Sequence, residues 1–79
     1  MSDFADKIIA LRKKKGVTQK DLAMSLSFSE RGIQNLEYGK TTPTVETVIK
    51  LCRYYGVSAD YLLGLTDEVR PLRKDAQNV

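Results

Sequence analysis

The stretch that decides the fold is residues 17–40, VTQKDLAMSLSFSERGIQNLEYGK, where two short helical patterns are separated by about three residues. Leu22 and Leu26 share one face of the first pattern, and Ile33 and Leu36 share one face of the second. The break between them is too short for a long loop and is rich in serine, which favours helix caps. The stretch therefore predicts two consecutive short helices joined by a tight turn.

The apolar spacing on both sides of this stretch is also helical, and nothing alternates as a strand does. One helix is predicted before Gly16, with Ser2 or Asp3 as its cap, and two more follow Pro43. The N-caps expected for the later helices are Thr18, Ser29, Thr44 and Ser58. The sequence thus predicts an all-α fold of five short helices over residues 1–66 and a loose polar tail over residues 67–79.

The composition excludes several classes of function. The 79 residues contain no histidine and one cysteine, which rules out a His-dependent active site, a Cys/His zinc site and an intramolecular disulfide. Cys52, on the apolar side of the fourth helix, is expected to be a small buried hydrophobe. A bundle of this size offers no enclosed pocket for tuning catalytic pKa values, so no enzyme, metal or cofactor is expected.

The chain carries no apolar run of membrane-spanning length, and its first residues lack the pattern of a secretory signal. We therefore expect a cytoplasmic protein. The net charge of +3 is uneven: residues 7–40 hold eight Lys or Arg and three Asp or Glu, whereas residues 46–79 hold five of each. This asymmetry indicates an anionic partner on the N-terminal half, the alternative being a basic solvated surface.

The spacing is that of a helix-turn-helix motif: two short helices are joined by a three-residue turn, and a small residue, Ala23, is expected where they cross. Burial of the apolar face of the second helix turns four hydrogen-bonding residues outward: Glu30, Arg31, Gln34 and Asn35. Such side chains suit the edges of base pairs in a major groove. The alternative is an ordinary polar helix face.

Four segments of the chain resemble the lambda-repressor-like, Cro-type helix-turn-helix family of bacterial and phage regulators. They are residues 17–23 (VTQKDLA), 33–40 (IQNLEYGK), 43–47 (PTVET) and 56–64 (GVSADYLLG), and the resemblance extends in register over about residues 4–65. It implies a compact five-helix domain that binds double-stranded DNA, acts as a homodimer on a palindromic operator and regulates transcription as a repressor. Nucleoid association is expected with it.

The resemblance also implies roles for individual residues. Glu30, Arg31 and Asn35 fall on base-contacting positions, with Gln34 beside them. The predicted phosphate contacts are Gln19, Lys20, Ser29, Lys40, Thr41 and Thr42. Arg12 and Glu37 occupy positions that form an ion pair between the first and third helices in some relatives, the alternative being two unrelated surface charges. For Glu30, support of the helix N-terminus and direct base contact both remain open.

Three residues depart from the family pattern. Ser27 stands where the turn normally has glycine, which predicts a positive φ at a cost of roughly 1 kcal/mol. Phe28 replaces a smaller aliphatic residue, so the turn is expected to be more heavily packed. Gly32 lies inside the third helix, where it weakens the helix but allows close approach to DNA.

The C-terminal end carries apolar residues that a short helix cannot all bury. We predict a homodimer through the fifth helix and the start of the tail, formed by Tyr61, Leu62, Leu65 and Val69. The alternative function is a protein-interaction module of the antitoxin type, which uses the same fold and also binds its own promoter. In that case the last helix and tail would bind a protein partner such as a toxin or an antirepressor.

Overall fold

The computed structural model describes residues 3–68, and within them the chain forms five helices joined by short loops. The helices are α1 (Asp3–Lys15), α2 (Gln19–Leu26), α3 (Glu30–Glu37), α4 (Val45–Tyr55) and α5 (Ala59–Leu62). The all-α prediction is confirmed. Ser2, Val69 and the predicted tail from residue 69 onward lie outside the described residues.

The four predicted N-caps each accept a hydrogen bond from the first turn of their helix. Thr18 Oγ1 accepts from the Asp21 backbone N–H at 3.0 Å, and the Asp21 carboxylate accepts from the Thr18 N–H at 3.1 Å. This reciprocal pair is a capping box. Thr44 and Ser58 cap α4 and α5 in the same extended backbone conformation, accepting at 3.1 and 3.4 Å. Local sequence therefore determines where these helices begin.

The turn between α2 and α3 depends on a left-handed residue. Ser27 has φ 60°, the one positive φ outside glycine among residues 3–68, which confirms the prediction. With this conformation the Phe28 N–H reaches back to the Ala23 carbonyl at 2.8 Å and closes the C-terminus of α2. The turn is therefore tight even though a serine stands at the position that favours glycine.

The core joins all five helices. Its fully buried side chains are Ile8, Leu22, Ile33, Leu51 and Leu62, one from each helix. Cys52 is buried with them as expected, and burial raises the pKa of its thiol. Because Ile33 and Leu36 are both buried, the inner face of α3 is fixed and its opposite face points outward.

The prediction that Leu62 belongs to a dimer surface at the C-terminal end is wrong. Leu62 has no exposed surface because α5 packs against both α1 and α4, so Leu62 belongs to the core and cannot form part of a dimer surface. Tyr61 is half-buried, and the Lys7 ammonium lies 5.0 Å from the centre of its ring. Leu63 and Leu65 are exposed instead. Apolar spacing in a four-residue helix does not show which of its residues face a neighbouring helix.

Candidate nucleic-acid interface

Helix α3 presents its polar residues in two degrees of exposure. Glu30 and Arg31, in its first turn, are exposed, whereas Gln34 and Asn35 are half-buried at the margin of the same face. Ile33, in the middle of the same helix, is 1% exposed. The structure thus presents one hydrogen-bonding surface on α3, and it is most accessible at the N-terminal end of the helix.

The N-terminus of α3 is held by a close contact between Ser29 and Gly32. Ser29 Oγ accepts from the Gly32 N–H at 3.0 Å, and a Cβ added to Gly32 would lie 3.2 Å from that oxygen. Glycine therefore lets the cap serine sit tightly on the helix, a constraint that sequence reasoning did not identify. The Ser29 hydroxyl keeps its own proton, so it can still donate to an anion.

The loop between α3 and α4 carries three of the predicted contacts to DNA phosphates, Lys40, Thr41 and Thr42, all of which are exposed. Tyr38 is 64% exposed beside them, and the Lys40 ammonium lies 6.0 Å from the centre of its ring. Tyr38 was not among the predicted contacts, although it directly precedes Gly39 and Lys40 in the sequence. The loop therefore offers one cation, two hydroxyl groups and an exposed phenol.

A part-buried ion pair joins α1 to α3. Arg12 Nε donates to Glu37 Oε2 at 2.6 Å, and a terminal guanidinium nitrogen of Arg12 donates to Glu37 Oε1 at 3.2 Å. The hydrogen bond to Glu37 raises the pKa of Arg12, and Glu37 is 4% exposed. The alternative of two unrelated surface charges does not describe this arrangement. Another guanidinium nitrogen of Arg12 donates to the Val17 carbonyl at 3.0 Å, just before α2.

The N-terminus of α2 is tied to the same carboxylate. Gln19, the first residue of α2, donates from Nε2 to Glu37 Oε1 at 2.9 Å and is half-buried. Lys20, which follows it, is exposed. The structure therefore places the two predicted phosphate contacts of α2 in different settings: Gln19 is fixed by a hydrogen bond, and Lys20 projects outward.

A shallow groove between α2 and α4 contains none of the predicted DNA contacts. It has a volume of about 370 Å³ and is lined by Ser25, Leu26, Ser27, Lys50, Arg53 and Tyr54. At its edge the Lys50 ammonium donates to the Leu26 carbonyl at 3.3 Å and lies 4.9 Å from the centre of the Phe28 ring. Phe28 packs against the core, so the turn is held by an aromatic ring from within and by a lysine from outside.

Residues 3–68 contain neither a cluster of metal ligands nor a membrane-spanning helix. No group of three or more His, Cys, Asp or Glu residues in this range is arranged to hold a metal ion. No helix of the same range is both long enough and apolar enough to cross a membrane.

The fold and these surfaces define a helix-turn-helix domain. A family model described as Helix-turn-helix matches residues 8–62, and the chain belongs to the Cro/lambda-repressor-like helix-turn-helix family. This is a family of DNA-binding proteins and not of enzymes, in agreement with the prediction from composition.

Individual relatives are similar over the same region. The chain is 43% identical over 58 residues to the HTH-type transcriptional regulator ImmR of Bacillus subtilis (strain 168), an alignment that covers 73% of this chain and 45% of ImmR. It is 40% identical over 58 residues to the uncharacterized HTH-type transcriptional regulator y4dJ of Sinorhizobium fredii (strain NBRC 101917 / NGR234), covering 73% of this chain and 75% of y4dJ. The chain thus spans less than half the length of ImmR and most of y4dJ.

A solved structure has the same fold. The crystal structure of a transcriptional regulator from Listeria innocua superimposes with a TM-score of 0.73 at 28% sequence identity. The superposition covers 95% of this chain and 67% of that one. The similarity therefore includes nearly all of the helices described above.

Proposed function

We propose that this chain is a sequence-specific regulator of transcription that places α3 in the major groove of double-stranded DNA. The observation that carries the proposal is the division of α3: Ile33 is buried in the core, whereas Glu30 and Arg31 project from the exposed N-terminal turn. A helix fits the major groove, where each base pair presents a distinct pattern of donors and acceptors. Membership of the helix-turn-helix family supports this assignment.

The side chains of α3 divide the recognition between them. The Arg31 guanidinium has the two-donor geometry for guanine, and the Asn35 amide has the geometry for adenine. Glu30 can accept from a cytosine amino group and also stabilises the positive N-terminus of α3. Gln34 lies at the half-buried margin, where it supports its neighbours or reaches an adjacent base.

Contacts to phosphates orient the domain on the duplex. The N-terminal ends of α2 and α3 offer Gln19, Lys20 and Ser29, and the loop after α3 offers Lys40, Thr41 and Thr42. Helix N-termini favour anions because their N–H groups and dipoles point outward. Tyr38, exposed beside Lys40, adds a phenol that can donate to the same backbone.

Dimerisation on a palindromic operator would double these contacts. Leu65, three residues after the end of α5, is 78% exposed, and Leu63, directly after the helix, is 47% exposed. Together with Tyr61 and Val69 they form the proposed contact between two copies, with Leu62 left out. Two copies on a two-fold axis would place their α3 helices about 34 Å, or 10–10.5 base pairs, apart. A cytoplasmic, nucleoid-bound dimer that covers promoter DNA would act as a repressor by excluding other proteins from it.

Selection of bound duplexes from a random pool tests DNA recognition, and a palindrome is the expected result. On the selected site, Arg31→Ala and Asn35→Ala should each lose about 1–3 kcal/mol of binding free energy and leave non-specific binding nearly unchanged. Lys40→Ala should instead weaken all sequences alike and lower the slope of log affinity against log salt by about 0.9. Equal losses of both base-contact variants on operator and random DNA would contradict the assigned roles.

Sedimentation with and without the palindromic duplex tests the dimer. Leu65→Glu should reduce assembly of two copies on the duplex, because a charge would enter an apolar contact. Met24→Glu is the matched control, since Met24 is a comparably exposed apolar residue (73%) on α2. One copy bound per palindrome, or equal behaviour of the two variants, would refute this interface.

A further inference from the structure

We infer that Glu37 is a positioning residue for DNA binding: it fixes the Gln19 amide at the N-terminus of α2 so that this amide donates to a DNA phosphate. The inference rests on the proposed function and extends it to a residue that cannot touch DNA itself, because the Glu37 side chain is 2% exposed. Glu37 ends α3 and Gln19 begins α2, so one carboxylate connects both helices of the motif.

The chemistry of the contact determines the orientation of Gln19. An ionised carboxylate only accepts hydrogen bonds, so the Gln19 group that lies 2.9 Å from Glu37 Oε1 must be its NH₂. A phosphate also only accepts. With one N–H committed to Glu37, the second N–H of the same nitrogen remains as the donor for a phosphate. Without Glu37, the amide could rotate and present its carbonyl oxygen, which a phosphate would repel.

Arg12 balances the negative charge of Glu37, which would otherwise repel a nearby phosphate. A bare negative charge next to a bound phosphate would oppose binding. The Arg12 guanidinium contacts both oxygens of the Glu37 carboxylate, at 2.6 and 3.2 Å. The charge of Glu37 is therefore balanced by Arg12, and Gln19 is not needed for that balance. The same guanidinium holds the Val17 carbonyl, which fixes the chain as it enters α2. The three side chains thus act as one unit in which Arg12 neutralises, Glu37 orients and Gln19 contacts the phosphate.

The test compares Gln19→Ala, Glu37→Gln and the double variant on the duplex that the wild type selects. The amide introduced by Glu37→Gln can both donate and accept, so it would no longer force the NH₂ of Gln19 toward it. Each single variant should lose about threefold to tenfold in affinity, the worth of one hydrogen bond. The double variant should bind no more weakly than Gln19→Ala, because the contribution of Glu37 passes through Gln19. Glu46→Gln, which neutralises an exposed carboxylate of α4, is the matched control.

Duplexes with one phosphate at a time replaced by a neutral methylphosphonate separate positioning from folding. At one position the replacement should weaken DNA binding by the wild type but leave binding by Gln19→Ala and Glu37→Gln unchanged. A general loss of stability would not produce this dependence on a single phosphate. Gln19→Asn gives the same test, because its shorter side chain cannot contact both Glu37 and the phosphate. This variant leaves the Arg12–Glu37 pair intact. Additive losses in the double variant, or sensitivity of Glu37→Gln to the same phosphate as the wild type, would overturn the inference. A wild type that binds no duplex would instead refute the proposed function.

Discussion

The α2–α3 pair and the C-terminal end with α5 are built in contrasting ways. In α2–α3, Leu22 and Ile33 are almost completely buried, both helices have side-chain caps, and the buried Glu37 carboxylate is tied to Arg12 and Gln19. At the C-terminal end, α5 has four residues and buries Leu62, while Leu63 and Leu65, which follow the helix, project into solvent. A surface proposed to contact bases thus stands on a rigid frame, whereas the surface proposed for self-association is left exposed by a helix too short to cover it.

The same contrast holds for charge. Residues 7–40 carry a net charge of +5, whereas residues 46–79 carry none. A basic surface attracts phosphates over a distance of about one Debye length, roughly 8–10 Å at ordinary salt. A neutral end with exposed leucines suits an apolar contact between copies. The two ends of the chain are therefore suited to different partners.

The largest effect on stability is expected at the buried face of α3. Ile33→Ala should lower the free energy of unfolding by about 2–5 kcal/mol, because it removes buried methyl groups and leaves a cavity. Leu65→Ala should change it by less than about 0.5 kcal/mol, since that side chain is 78% exposed. Urea denaturation of both variants measures the difference. Similar losses in the two variants would contradict the contrast between the two ends.

The next effect concerns the part-buried ion pair between Arg12 and Glu37. Arg12→Met should cost about 2–4 kcal/mol of unfolding free energy, because it leaves the Glu37 carboxylate buried without its cation. The double variant Arg12→Met/Glu37→Leu removes both charges and should recover part of that loss. Thermal and urea unfolding of the three proteins test this. A double variant less stable than Arg12→Met would contradict this expectation, because it would show that the unpaired Glu37 carboxylate does not destabilise the fold.

A smaller effect, of opposite sign, is expected at the turn. Ser27→Gly should stabilise the domain by about 0.5–1 kcal/mol, because glycine adopts the positive φ of this position without steric cost. Ser25→Gly, two residues earlier and inside α2, should destabilise by about 0.5 kcal/mol because of the lower helix propensity of glycine. Chemical denaturation of the pair distinguishes backbone strain from a general effect of glycine.

The smallest effect is a pH dependence at the start of α2. The backbone N–H and the hydroxyl of Thr18 lower the pKa of the Asp21 carboxyl by hydrogen bonding to it. A lowered folded-state pKa means that the contribution of Asp21 is present above its ordinary pKa of about 3.9 and is lost as the pH falls through the lower value. The difference in Tm between wild type and Asp21→Asn should therefore shrink toward acid pH. A difference independent of pH would contradict this role.

Much of the fold could be predicted because its signals are local. Thr18, Ser29, Thr44 and Ser58 act as caps where the sequence places them, since a cap bonds only to the next turn of its own helix. The positive φ of Ser27 was predictable from the resemblance, because the family normally has glycine at this position of the turn. Leu62 was wrongly placed because its burial depends on α1 and α4, which apolar spacing within α5 does not reveal.

The sequence by itself determined the helices, their caps, the apolar faces and the basic N-terminal half, because each depends on neighbouring residues or on composition. Only the tertiary structure decided which side chains meet across the chain. Gln19 and Arg12 both reach Glu37 from 18 and 25 residues away, and the burial of that carboxylate follows from the crossing of α1, α2 and α3. Such contacts depend on how helices pack, and packing depends on the whole set of buried side chains at once.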